Sequence, residues 1–310
     1  LEAQTLRLFE EADLRVRRGS DRDYHGSIAL EAQTLRLFEE ADLRVRRGSD
    51  RDYHGSIEDD RIERVSLLRP QEIPTYVQDG LFDLGITGQD WIAETGADVE
   101  VLTTLSYAKS GTGHGTKIVL AVPSDHPANS AREMPPDSRI STEFLNLTQR
   151  YFADLGIDVK VVWSYGATEA KVPEIVDAIV DITETGSTLR AHGMKVIETL
   201  MTSEPVLVAN RDSAADPEKH RAMDDIVTLL LGALRAEGRV LIKLNVSEAD
   251  LAAVLEAVPA MKSPTVSRLQ EGGYAIETVA EKRQVNTLIP LLKARGATDI
   301  LELPISKIVP

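Results

Sequence analysis

Hydrophobic and polar residues follow two different periods along the chain, and the two periods alternate. Short apolar runs bounded by Pro on one side are typical of buried strands, as at 117–122 and 206–210. Longer segments with apolar residues three and four positions apart are typical of amphipathic helices, as at 143–155 and 217–237. The alternation predicts an α/β fold with largely parallel sheets, divided into two lobes.

The same periods predict the shorter elements. A strand over 84–87 leads into a helix over 89–94, and a helix over 173–179 leads into a strand over 180–182. After the long helix the order becomes strand, helix, strand, strand, helix, strand between 240 and 304. This βαββαβ order predicts a ferredoxin-like domain, and Gly238 is a suitable stop for the helix before it.

A perfect internal repeat occupies the amino-terminal part of the chain. Residues 30–57 repeat residues 1–28 without a change, and Ala29 separates the two copies. Natural repeat arrays diverge, and a stable array needs about three or more units. We therefore interpret residues 1–29 as an added segment and the second copy, with a helix that starts at Leu30, as the native sequence.

The composition narrows the possible functions. The chain has 50 acidic and 35 basic residues, and its net charge of −15 disfavours nucleic acid and anionic membranes as partners. It has no Cys, which excludes disulfides, thiolate zinc sites and cysteine nucleophiles. Because no apolar run reaches about 18 residues and no signal peptide is recognisable, we expect a cytoplasmic protein. An anionic substrate would need local cations, backbone amides or a divalent metal.

The turn ETGST at 184–188 is the most informative motif. It lies between a predicted strand and a helix, where Gly186 permits close backbone approach and the hydroxyls and amides favour phosphate. Asp177, Asp181 and Glu184 suit sugar hydroxyls or a Mg²⁺ ion that also binds diphosphate. An ordinary strand–turn–helix with a capped start has the same pattern, and the motif alone leaves both interpretations open.

A second motif, DLGITGQDW at 83–91, places Gly85 and Gly88 around the end of a strand. Ligands of open α/β sheets bind at such carboxyl ends. An aspartate of the motif could accept a hydrogen bond from a ligand, and Arg69 could pair with phosphate. Taken alone, the motif favours a plainer interpretation, in which Asp90 caps a helix and Trp91 belongs to the core.

Four segments together carry a resemblance to a known family. In chain order they are RPQEIPTYVQDGLFDLGITGQDW, TEFLNLTQRYF, GATEAKVPEIVDAIVDITETGSTLRAHGM and MKSPTVSRL. They resemble the long form of ATP phosphoribosyltransferase, the first enzyme of histidine biosynthesis. The resemblance implies two periplasmic-binding-protein-like catalytic lobes, 30–110 with 186–237 and 111–185, and a ferredoxin-like regulatory domain, 238–310, that binds histidine.

The resemblance also implies the reaction and its residues. In the implied reaction, N1 of ATP is joined to the ribose C1 of phosphoribosyl diphosphate and pyrophosphate leaves, without an enzyme nucleophile. The resemblance further implies Mg²⁺ as the cofactor, histidine as the inhibitor and a homo-hexamer as the assembly. For phosphoribosyl diphosphate the residues are Asp177, Asp181, Glu184, Thr185, Gly186, Ser187 and Thr188, with Asp177 and Asp181 near Mg²⁺. For ATP they are Arg69, Asp83 and Thr87, and for the opposite wall of the cleft they are Glu143, Gly166, Glu169 and Lys171. For histidine they are Asn245, Met261, Ser263 and Thr265.

One departure from the family keeps two alternatives open. Family members begin with an apolar strand and a Lys-Gly-Arg-type turn, whereas SDRDYHGSIA precedes Leu30 here. That departure motivates the first alternative, a catalytically impaired regulatory paralogue that still binds histidine. A two-lobed architecture also serves solute capture, so a small-molecule binding protein is the second alternative.

Overall fold

The computed structural model of the chain describes residues 21–49, 52–106, 115–166, 168–259 and 263–310, with side chains from Glu31 onward. Contacts divide these residues into two units. The first holds Leu68–Pro217 and the described residues before Leu35, and the second holds Leu35–Leu67 and Glu218–Pro310. None of the helices within the described ranges is long and apolar enough to cross a membrane.

Nine α-helices are formed by the described residues. Their bounds are α1 Asp21–Glu40, α2 Ile73–Gln78, α3 Gln89–Thr95, α4 Leu145–Leu155, α5 Ser187–Ala191, α6 Arg211–Ala215, α7 Pro217–Ala236, α8 Leu251–Ala257 and α9 Val285–Ala294.

The same residues form fourteen strands in four sheets. A hairpin joins β1 His54–Gly55 and β2 Val65–Ser66. The other strands are β3 Leu84–Gly88, β4 Glu100–Thr104, β5 Thr116–Pro123, β6 Arg139–Thr142, β7 Lys160–Trp163, β8 Ala178–Thr183, β9 Met194–Ser203, β10 Pro205–Ala209, β11 Arg239–Val246, β12 Thr265–Arg268, β13 Tyr274–Glu281 and β14 Ala297–Pro304.

A five-stranded sheet, in the order β7-β6-β8-β5-β9, forms one lobe of the first unit. Alternate residues of β5 are buried on opposite faces, with Ile118 and Leu120 in one core cluster and Val119 and Ala121 in another. Both faces are therefore covered, as the continuous apolar run of this strand requires. Only the pairs that β6 makes with β7 and β8 are parallel, and β5 runs antiparallel to both its neighbours.

The other lobe contains a three-stranded sheet in the order β3-β10-β4, and both of its pairings are antiparallel. The prediction of largely parallel sheets is therefore wrong. Parallel neighbours need a crossover connection between them, which is usually a helix. Here β9 ends at Ser203 and β10 begins at Pro205, so the chain passes directly from the five-stranded sheet into the three-stranded sheet with no such helix between them. This crossing is bonded to the end of β4 by the Leu105 amide, which donates to the Pro205 carbonyl at 2.8 Å.

The chain passes from one lobe to the other twice, first between β4 and β5 and then between β9 and β10. These two crossings lie at one edge of each sheet, which we call the interlobe edge. In the five-stranded sheet it comprises the carboxyl ends of β6, β7 and β8, because Thr116 at the start of β5 pairs with Ser203 and Lys117 pairs with Thr183. In the three-stranded sheet it comprises the carboxyl ends of β3 and β4, because Pro205 pairs with Gly88. Ligands of α/β sheets bind at such edges.

The second unit contains the ferredoxin-like fold that the sequence predicts. Its four-stranded sheet has the order β12-β13-β11-β14, with every pairing antiparallel. Alternate residues of β11 are buried against α8 and α9, among them Ile242 and Leu244, so the sheet is covered on one face. The structure groups α7 with this unit and not with the lobe to which the sequence assigned it.

Two local predictions are also wrong. The segment predicted as a helix over 173–179 forms a turn that closes when the amides of Ile175 and Val176 donate to the Lys171 carbonyl, and β8 begins at Ala178. Ile179 and Val180 in β8 are β-branched and fully buried, and such residues favour a strand over a helix. Helix α1 begins at Asp21 and continues through Ala29, so it does not start at Leu30. Residues 1–20 lie outside the described residues.

Candidate functional site

The turn 184–188 joins β8 to α5 at the interlobe edge. Gly186 has φ +69°, and a Cβ at this buried position would come within 3.1 Å of Arg190 Nη1. The Gly186 amide donates to Thr183 Oγ1 at 2.8 Å, and the Thr185 hydroxyl donates to Ser187 Oγ at 2.9 Å. Glu184, Thr185, Ser187 and Thr188 are all exposed. The turn therefore presents hydroxyls to solvent around a backbone that glycine alone adopts without strain.

Lys171 lies at the same edge, in the 3₁₀ helix Thr168–Lys171 that follows β7. Its ammonium donates to Ser164 Oγ at 2.7 Å and lies 3.4 Å from Ser141 Oγ. Ser164 is fully buried, and its oxygen is 2.7 Å from Thr168 Oγ1. Hydroxyls at the ends of β6 and β7 thus hold the cation in place without cancelling its charge.

Two further cations lie beside the turn, and neither was predicted from the sequence. Lys117 on β5 is directly opposite Thr183, so their side chains share one face of the sheet. Arg190 lies four residues after Gly186 on α5, with its guanidinium over the glycine. The spacing of four along a helix could have revealed Arg190, because such residues lie on the same face. The position of Lys117 depends on strand register, which the sequence does not contain.

The predicted ATP residues separate into two groups. The Thr87 hydroxyl is buried and donates to the Pro70 carbonyl at 2.8 Å, which brings the adjacent Arg69 to the interlobe edge. Asp83 lies before β3 and accepts from the Ser213 hydroxyl at 2.6 Å. About 13 Å of strand separates Asp83 from Thr87. The structure does not bring Asp83 to the interlobe edge.

Asp177 and Asp181 also separate. Asp177 precedes β8, where its carboxylate accepts from the Arg139 amide at 2.8 Å, whereas Glu184 follows the strand. The intervening strand is about 20 Å long, so Asp177 lies at the edge opposite the turn. Asp181, within β8, accepts from the amide of Ile182 at 2.7 Å. Among the described residues, no group of three or more Asp, Glu or His side chains could hold a metal ion.

The cleft residues Glu143 and Gly166 follow β6 and β7, and Glu169 lies in the same 3₁₀ helix as Lys171. All three therefore belong to the interlobe edge. The neighbouring part of the DLGITGQDW motif has a structural role. Gly88, and not Asp90, is the N-cap residue of α3, while Trp91 stacks on Phe144 with ring centroids 4.7 Å apart. The prediction of Asp90 as a cap is wrong, and the prediction of Trp91 as core is confirmed.

Asp90 is 4% exposed and accepts from the Ser203 hydroxyl at 2.7 Å. Burial raises the pKa of this carboxyl, and the Ser203 hydrogen bond opposes the rise. Because Ser203 ends β9, the pair attaches α3 to the second crossing. A Cβ at Gly88 would come within 1.9 Å of the Asp90 carboxylate, so glycine is needed there.

A second candidate site lies on the sheet face of the second unit that the helices leave uncovered. Asn245 donates to Asp299 Oδ2 at 3.0 Å, so an acid that was not predicted from the sequence lies beside it. Thr265 is opposite Glu277, which forms a 2.8 Å ion pair with Lys243. An amino acid needs an acceptor for its ammonium group and a cation for its carboxylate, and this face has both. Ser263 is exposed just before β12, and Met261 lies outside the described residues.

Comparisons with known proteins agree with this architecture. Residues 69–232 match the sequence model of the family described as ATP phosphoribosyltransferase (HisG), and residues 236–307 match that of the HisG C-terminal domain. An ATP phosphoribosyltransferase of Pelotomaculum thermopropionicum is 45% identical over 255 residues, which is 82% of this chain and 87% of that protein. One of Koribacter versatilis is 43% identical over 252 residues, 81% of this chain and 86% of that protein.

A solved structure gives the same result for the fold. The chain is similar to a Thermotoga maritima complex described as ATP phosphoribosyl transferase (HisG:HisZ), with a TM-score of 0.54 and 25% sequence identity. The similarity covers 65% of this chain and 91% of that one.

Proposed function

The chain belongs to the ATP phosphoribosyltransferase family, and from this premise we propose that its interlobe edge holds both substrates of that reaction. The observation that carries the proposal is the turn 184–188, which presents exposed hydroxyls beside Lys117 and Arg190 at the carboxyl end of β8. The hydroxyls and the two cations bind the 5-phosphate of phosphoribosyl diphosphate there. ATP binds against the other lobe, beside Arg69 and Thr87.

The residues of the edge act by position and charge. The reaction forms a bond from N1 of ATP to the ribose C1 and breaks the bond from C1 to the diphosphate, which leaves with its electron pair. Such a step needs aligned reactants and stabilisation of the leaving anion, and it needs no enzyme nucleophile. Lys171, fixed by the Ser164 hydroxyl at 2.7 Å, provides a cation that does not have to reorganise during the reaction.

Mg²⁺ is the cofactor that we assign to this site. The ion takes oxygen ligands and commonly binds through one or two carboxylates and the phosphates of the substrate. Glu184 and Asp181 supply carboxylates beside the turn, which fits that donor set, whereas Asp177 at the far edge does not. The bound ion would neutralise diphosphate charge.

Formation of the phosphoribosyl–ATP adduct tests the proposal. The protein is incubated with ATP, phosphoribosyl diphosphate and Mg²⁺, and the adduct is followed by its ultraviolet absorbance and by mass spectrometry. We expect adduct and pyrophosphate in equal amounts. Histidine binding without adduct would instead identify a regulatory paralogue, and binding of small molecules without either result would identify a binding protein.

We also infer that the uncovered sheet face of the second unit binds histidine as an inhibitor. Asp299 and Glu277 supply acceptors for its ammonium group, and Lys243 supplies a cation for its carboxylate. Calorimetry of histidine binding by Asp299→Asn and by the wild-type protein tests this assignment, and unchanged affinity would contradict it. Membership of the long-form family supports a homo-hexamer in the cytoplasm, and sedimentation velocity would measure the assembly.

A further inference from the structure

Helix α3 of one lobe is bonded to the first turn of helix α4 of the other. The first amides of an α-helix have no acceptor within the helix, and a side chain at the N-cap position usually supplies one. The N-cap residue of α4 is Phe144, which cannot do so. The acceptor is Glu94 of α3. Its carboxylate accepts from the Asn146 amide at 3.0 Å and from the Leu147 amide at 2.9 Å.

Several other contacts support the same junction. Asn146 donates from its side chain to the Glu94 carbonyl at 3.0 Å, and Arg150 donates to the Ala93 carbonyl. The ring of Trp91 stacks on Phe144. Glu94 is 7% exposed, so its charge is compensated by the two amides and by the positive end of the α4 dipole rather than by water.

The position of this junction relates it to the reaction. Helix α4 follows β6, and the turn between them contains Glu143 at the interlobe edge. Helix α3 follows β3, and Asp90 attaches it to the crossing at Ser203. Glu94 therefore connects the turn that carries Glu143 to the lobe that we assign to ATP.

We propose that Glu94 is a positioning residue, which docks α4 on α3 and so fixes the separation of the two lobes before the substrates bind. A carboxylate in this place also occupies the amides at the start of α4. The first part of the proposal concerns the free protein and is independent of the reaction. The effect on catalysis rests on the proposed function.

The first experiment measures the junction without substrate. Hydrogen exchange of the Asn146 and Leu147 amides is followed in the wild-type protein, in Glu94→Ala and in Glu94→Gln. Amides in a first helical turn exchange quickly when they have no acceptor. We expect exchange at least about tenfold faster in Glu94→Ala. Glu94→Gln keeps one acceptor oxygen and the size of the side chain, so a smaller increase is expected, and this variant replaces Glu94→Ala if the latter does not fold.

The second experiment separates positioning from chemistry. If about a tenth of the molecules keep the docked arrangement without Glu94, the apparent affinity for substrate falls about tenfold. We expect KM for both substrates to rise by that factor in Glu94→Ala, while kcat stays within about threefold. Glu133→Gln is the matched control, since Glu133 also accepts from a backbone amide, at Asn129, but within one lobe. It should keep the wild-type KM and kcat.

Unchanged exchange of both amides in Glu94→Ala would overturn the proposal, as would faster exchange with unchanged KM or a fall in kcat alone. If the wild-type protein forms no adduct, the proposed function fails, but the exchange experiment still decides whether Glu94 docks the two helices. Faster exchange with a raised KM and a retained kcat supports the full proposal.

Discussion

The two edges of the five-stranded sheet carry similar residues in different arrangements. The edge opposite the interlobe edge, where β6, β7 and β8 begin, is called the amino edge here. At this edge Asp177 pairs with Arg139 at 3.6 Å and Asp137 pairs with Lys160 at 2.9 Å, so acidic and basic side chains neutralise each other. At the interlobe edge, Lys171 is held by serine hydroxyls. An exposed ion pair contributes up to about 1 kcal/mol to stability, and each of its charges already has a partner. A cation held by hydroxyls keeps its charge for an anion that binds later.

The largest expected effect tests the turn at the interlobe edge. Thr185→Ala combined with Thr188→Ala removes two hydroxyls, and a hydrogen bond to a charged acceptor contributes about 1.5–3 kcal/mol. We expect phosphoribosyl diphosphate binding, measured by calorimetry, to weaken at least about tenfold while the fold persists. Thr287→Ala, which removes a hydroxyl bonded to the Gln284 carbonyl in the second unit, serves as the control. Unchanged binding by the double variant would remove the phosphate assignment.

The second prediction compares one lysine from each edge. Lys171→Met keeps the length of the side chain and removes its charge, whereas Lys160→Met does the same at the amino edge. We expect the first substitution to lower kcat/KM about tenfold or more, in line with a charge-assisted hydrogen bond of about 1.5–3 kcal/mol, and the second to leave it unchanged. Equal losses in steady-state kinetics would show that the two edges do not differ in function.

The sequence predicted the position of the turn 184–188 because the signals of that turn are local. A turn of Gly, Thr and Ser after an apolar run depends on neighbouring residues alone, and the structure places it at the end of β8 as expected. Strand β9, Met194–Ser203, was not predicted, because eight of its ten residues are incompletely buried and its polarity lacks a regular alternation. Asp83 and Asp177 were assigned to the cleft by the family resemblance, and the structure places both at the far ends of their strands. Which end of a strand lies at the cleft depends on the order and direction of all the strands in the sheet, and the residues of that strand alone do not determine it.

The third prediction concerns Asp177, which the family resemblance places near the ribose and the structure places at the amino edge. Asp177→Asn keeps the acceptor for the Arg139 amide and weakens the ion pair. We expect the free energy of unfolding to fall by less than about 1 kcal/mol and kcat/KM to stay within about twofold. Urea denaturation and steady-state kinetics measure the two quantities. A loss of activity without a loss of stability would return Asp177 to the binding site.

The smallest expected effect concerns Asp90. Its carboxyl accepts a hydrogen bond from the Ser203 hydroxyl, whereas the carboxylate of Asp177 pairs with the Arg139 guanidinium. Burial raises the pKa of Asp90 above its ordinary value of 3.8, so the folded protein disfavours the ionised form. The unfolded chain ionises near the ordinary value, and the wild-type protein therefore loses stability as the pH rises from about 4 through the raised pKa. Asp90→Asn keeps an acceptor for Ser203 and does not titrate. In urea denaturation at several pH values, the stability of the wild-type protein relative to Asp90→Asn should decrease from pH 4 to neutrality. If the relative stability instead increases over this range, the folded protein stabilises Asp90 as a carboxylate, as it does the acids in the ion pairs of the amino edge. The difference between the two edges would then not apply to the carboxyl on α3.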